Sequence, residues 1–95
     1  MKLRLSRKKV DDELLKKLIY LDLRYGLEYF ATVEILDLIN MLSISDVEFY
    51  LSMVLRDDPG VFCDSFFKIQ RILKDRINVE VPELCLEREQ QTQAK

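Results

Sequence analysis

Only two glycines and two prolines punctuate this chain of 95 residues. A sandwich or barrel of short strands reverses direction about every 8–12 residues and relies on those two residue types to do so. Their scarcity points to helices joined by short loops, and the length allows one hydrophobic core rather than two. The expected class is mainly α with a small β component. Residues 1–85 are expected to form a single globular domain, followed by a polar, frayed tail over 86–95.

Hydrophobic spacing places the elements. Leu14, Leu18, Leu21 and Tyr25 recur at helical period, with Leu15 and Ile19 widening the stripe, which predicts a helix from Asp11 to Tyr25. Acids crowd its first turn, where the helix dipole is positive, and Gly26 suits a left-handed cap at its end. A second helix is predicted over Val33 to Leu42 behind a Thr32 cap, with Ile35, Leu36, Ile39 and Leu42 as its apolar face. Ser45-Asp46-Val47-Glu48 fits a capping box and predicts the start of a third helix. Its apolar face is Val47, Tyr50, Leu51, Val54 and Leu55, with Phe49 and Met53 on an adjacent strip. Asp57-Asp58-Pro59-Gly60 reads as the turn that stops it. Residues 66–77 favour a fourth helix burying Phe66, Ile69, Leu73 and Ile77; a hairpin within 61–76 is the alternative. Ile77 to Val81 alternates cleanly, so a strand is predicted there, pairing with residues 2–6 in a short two-stranded sheet.

The chain has no histidine, which removes the commonest general base and the commonest metal ligand together. Its serines therefore lack a histidine partner, and no glycine-rich phosphate loop is present. No catalytic residue, metal or cofactor is expected, and the protein is read as a non-enzyme. Cys63 and Cys85 belong to no CxxC pair; they are read as ordinary thiols with Cys63 buried, a Cys63–Cys85 disulfide being the alternative. The N-terminus is too polar for a signal peptide, and no apolar run approaches the roughly 20 residues that span a bilayer. A cytoplasmic protein without a membrane partner is the expectation.

Charge is placed in blocks. Residues 1–10 carry five basic side chains and no acid, whereas residues 28–64 carry eight acids and one base, Arg56. Residues 65–76 turn basic again through Lys68, Arg71, Lys74 and Arg76 against Asp75. Such segregation either makes a dipolar surface that orients a partner or merely solvates separate helix faces.

Thr32-x-Glu34-Ile35, then Leu42-Ser43-Ile44-Ser45, then a helix ending before Pro59-Gly60-Val61-Phe62, resembles the core of a winged helix-turn-helix domain. The resemblance covers residues 32–62; Ser43 stands where that family usually has a glycine, and Arg56 where it commonly has a core leucine. It implies a winged-helix-like fold of three to four helices plus the two-stranded sheet, with Phe49 and Met53 inward and the wing starting at Gly60. It also implies regulation of transcription through double-stranded DNA. Yet the third helix offers Asp46, Glu48 and Ser52 outward, and acids repel phosphate. DNA contacts would then come from the N-terminal Arg4, Arg7, Lys8 and Lys9, from Arg56, and from Lys68, Arg71, Lys74 and Arg76. The alternative is a protein-interaction module, an adaptor, complex subunit or inhibitor, docking through the acidic helix 46–56 at Asp46, Glu48 and Ser52. Either function is compatible with a homodimer, because the aromatic side chains exceed what a small core hides.

Overall fold

Within residues 10–28, 33–77 and 79–85, which the computed structural model describes, four helices form: α1 (Asp12–Tyr25), α2 (Val33–Met41), α3 (Ile44–Asp57) and α4 (Pro59–Ile77). Asp11 opens α1 in extended backbone, its Oδ1 accepting the Leu14 N–H at 2.8 Å. Gly26 closes it at φ 69°, a left-handed conformation in which a side chain would be strained, and donates its N–H to Asp22 O at 2.7 Å. The buried face is Leu15, Leu18, Ile19 and Leu21 with one acid, Asp22, while Tyr25 is left exposed.

The turn into α3 departs from the capping-box expectation. Ser43, not Ser45, is the cap: its backbone is extended, its Oγ accepts the Asp46 N–H at 3.4 Å, and its carbonyl accepts from Val47 at 3.0 Å. Both serines can cap, and the chain leaves helical geometry straight after Met41, so the first serine after the break takes the role. The axes of α2 and α3 meet at 91° across this short turn.

The larger correction concerns residues 58–77. Asp58 is the whole connection between α3 and α4. Its N–H donates to Val54 O at 2.7 Å, closing α3, and its Oδ1 accepts from Val61 N–H at 3.4 Å, opening α4. Pro59 then occupies the first helical position, where its missing N–H costs nothing and its fixed φ is already helical. The Pro-Gly pair read as a stop is thus a start. Gly60, Val61 and Phe62 lie in α4, not at the root of a wing, and the hairpin alternative for 61–76 falls with it.

The winged-helix-like fold with a two-stranded sheet is likewise not what forms: among the described residues there is no strand. Helix α4 runs to Ile77 and consumes the start of the alternating run, and Pro82 can donate no ladder bond. Among the described residues, Val10 N–H donates to Glu80 O at 2.9 Å and joins the segments flanking the helices. Residues 2–6, Thr32 and the tail 86–95 lie outside the described residues.

The core lies where α1, α3 and α4 pack on one another, with Leu15, Ile19, Leu21, Val47, Phe66 and Ile69 almost fully buried. Burying each such side chain contributes roughly 1.5–3 kcal/mol. Among the described helices α2 packs against α1 alone; it buries Ile39 but leaves Leu36 half exposed and Met41 80% exposed. Cys63 and Cys85 form a disulfide, which the reading as ordinary thiols did not favour. It fastens the segment 79–85 to α4, and Val79 and Cys85 are buried there. No single helix among the described residues is long and apolar enough to cross a membrane.

Candidate functional site

The face of α3 that turns away from the core sets an exposed aromatic side chain among polar groups. Val47 and Leu51 point into the core, with Tyr50 and Val54 half-buried beside them. Helical spacing then sends Ser45, Asp46, Phe49 and Arg56 outward, and Phe49 is 68% exposed. The expectation that Phe49 points inward is therefore overturned. The helix is apolar around most of its circumference, so periodicity alone did not show which arc the other helices would cover.

One flank of this face borders a groove of about 390 Å³ lined by Lys16, Glu48, Leu51, Ser52, Leu55 and Phe62. Two of the three acidic-helix residues named from sequence, Glu48 and Ser52, are thus brought together there. Asp46 is exposed in the first turn of α3. Glu48 Oε2 accepts from Lys16 Nζ at 3.0 Å, and Asp12 Oδ2 lies 3.7 Å from the same ammonium. The Glu48 hydrogen bond, supported by the charges of Glu48 and Asp12, raises the Lys16 pKa above its ordinary value despite partial desolvation. The Ser52 hydroxyl donates to Phe49 O at 2.9 Å. The polar groups at the groove are in this way already matched to one another.

On the opposite flank, Tyr20 and Tyr50 meet edge to face with ring centroids 5.2 Å apart. The Arg24 guanidinium carbon lies 5.8 Å and 5.5 Å from the two centroids. Such contacts add roughly 0.5–1.5 kcal/mol beyond burial and fix the orientation of α3 on α1. These contacts hold that flank of α3 against α1.

The basic residues are less concentrated than their sequence block suggests. Lys68 Nζ lies 2.8 Å from Oδ1 of the buried Asp22, an ion pair without the angles of a directed hydrogen bond, while the Ser65 hydroxyl donates to Oδ2 at 2.6 Å. This network ties α1 to α4, and Asp22 in the middle of an apolar stripe was its signal in the sequence. Arg56 Nε lies 3.5 Å from Asp57 Oδ1, both groups exposed. Arg71, Lys74 and Arg76 are exposed on α4, and helical spacing interleaves Lys68 and Arg71 with Asp64 and Asp75. Arg4, Arg7, Lys8 and Lys9 lie outside the described residues. Among the described residues no three metal-ligating side chains cluster.

Comparison of the chain with protein-family models, with curated proteins and with solved structures finds no match.

Proposed function

We propose that this chain is a non-enzymatic protein-interaction module that engages its partner through the outward face of α3. The observation that carries the reading is Phe49, a large aromatic side chain 68% exposed on a helix whose other outward groups are mostly acidic or small. Exposed aromatic surface ringed by polar groups is a common composition of docking sites. Acids at the start of α3 disfavour insertion into a DNA groove, because the N-terminal residues of a reading helix lie closest to phosphate. A second reading, nucleic-acid binding, rests on the exposed Arg71, Lys74 and Arg76 of α4.

The two readings separate by affinity capture from the native cell beside a DNA shift assay across salt. The interaction reading expects capture to be lost in Phe49→Asp and kept in Arg71→Glu, with no DNA shift at physiological salt. A salt-steep DNA shift abolished by Arg71→Glu and untouched by Phe49→Asp would replace it with the second reading.

A further inference from the structure

The outward face of α3 narrows the choice of partner, on the premise that this helix is the docking face. Ser45, Phe49, Ser52 and Arg56 follow one another at the alternating four- and three-residue spacing of a coiled-coil seam, and all four are exposed. Val47 lies on the opposite side of the helix, buried in the core, so the seam faces away from the other helices. Helical spacing sets Asp46 and Met53 along one border of the seam and Glu48 and Leu55 along the other. Read along α3, the seam runs small, aromatic, small, cationic. Turned antiparallel against an identical helix, with Phe49 opposite Ser52, it complements itself. Each ring then covers a small side chain of the other copy. The Ser52 hydroxyl already donates to its own Phe49 O at 2.9 Å, so covering it leaves no donor unpaired. The same register brings Arg56 opposite Ser45 and beside Asp46 of the other copy, and symmetry makes that contact twice. A parallel pair would instead stack Phe49 on Phe49 and set Asp46 against Asp46 and Arg56 against Arg56. Arg56 now lies 3.5 Å from Asp57, both exposed, a pair weak enough to be shared. Glu48 is held by Lys16 at 3.0 Å.

We infer that α3 docks on α3 of a second copy of this chain, antiparallel about a two-fold axis at the level of Tyr50 and Leu51, with Phe49 over Ser52 and Arg56 beside Asp46 of the other copy. The 14 residues of α3 make a strip about 21 Å long and roughly 10 Å wide. One helix face of that size falls well short of the roughly 800 Å² that each partner gives to a standard interface. The dimer is therefore weak, of micromolar rather than nanomolar affinity, and its copies exchange.

The test is sedimentation equilibrium of the full oxidised chain from low micromolar to near-millimolar concentration, on variants whose folding is checked by circular dichroism. Wild type should pass from monomer to dimer across that range. Phe49→Asp should weaken association at least about tenfold, and Arg71→Glu should stay within about twofold of wild type. Asp46→Arg gives one copy two bases at the contact and Arg56→Asp gives another copy two acids. Each variant alone should associate about tenfold more weakly, because every end of its dimer then sets like charges together. An equal mixture of the two should recover the wild-type affinity to within about threefold, as a heterodimer. A monomer throughout the range, a dimer indifferent to Phe49→Asp, single reversals without effect, or a mixture no tighter than its components would each overturn the inference. A chain that stays monomeric yet captures a different protein through Phe49 would overturn the second copy and leave the wider reading of α3 standing.

Discussion

Alanine at position 60 asks whether α4 begins at Pro59. The only glycine with positive φ is Gly26, at 69°, and Gly60 lies within helical backbone. A Cβ at Gly60 would meet Asp58 Oδ1 at 3.7 Å, an ordinary contact, so no clash opposes the change. Glycine is about 1 kcal/mol worse than alanine inside a helix, and part of that applies in the first turn. Gly60→Ala should therefore stabilise the protein by about 0.5 kcal/mol. Gly26→Ala should do the reverse. Nothing lies within 4 Å of the added atom there, but the left-handed backbone costs a side chain roughly 1–2 kcal/mol. Urea denaturation of the oxidised protein, followed by the helical dichroism signal, measures both. With a slope of about 1–3 kcal/mol per molar urea, the two midpoints should part by more than half a molar, Gly60→Ala above wild type and Gly26→Ala below. Equal destabilisation by both would refute the reasoning, because residue 60 would then sit in a turn, as the wing reading requires.

Ser65→Ala should cost about 2 kcal/mol, since it strips a charge-assisted hydrogen bond from the buried Asp22, while Lys68→Ala should cost less because its side chain is 43% exposed and water can take its place; urea midpoints rank the two. Cys63→Ser with Cys85→Ser should cost about 3 kcal/mol on the loop-closure relation for a separation of 22 residues, and hydrogen exchange should show the amides of 79–85 opening first. Lys16 has a raised pKa, so its contribution is fully present below the unfolded lysine value of about 10.4 and is lost as pH rises through the folded one. The stability gap between wild type and Lys16→Met should accordingly stay level from pH 7 to about pH 10 and shrink above it, read from denaturation midpoints.

Local signals made α1 legible, because a capping aspartate and a terminal glycine act on their own neighbours and leave their mark in the sequence. The same kind of reading failed at Pro59-Gly60, where one dipeptide suits both a turn and a first helical turn and only the cap at Asp58 decides between them. Two serines competed to open α3, and the one nearer the end of α2 took the role. Long-range partners could not be named locally: Lys16 meets Glu48 across 32 positions and Ser65 meets Asp22 across 43, and an acid in an apolar stripe signals that it needs a partner without saying which. The disulfide was open for the same reason, since a spacing of 22 says nothing about whether two Cα atoms come within 5.9 Å. At the candidate site, the acids and Ser52 of α3 could be named from helical spacing. Phe49 could not be assigned to the surface, because that depended on which arc α1 and α4 would cover.

The central claim is that partners meet the outward face of α3, and photo-crosslinking from two positions tests it most directly. A photoreactive side chain is placed at Phe49 in one protein and at Arg71 in another, and each is irradiated in the native cell before its adducts are identified. A discrete protein adduct from position 49, with no nucleic-acid adduct from position 71, is the expected result. Nucleic acid joined at position 71 and nothing joined at position 49 would contradict the claim.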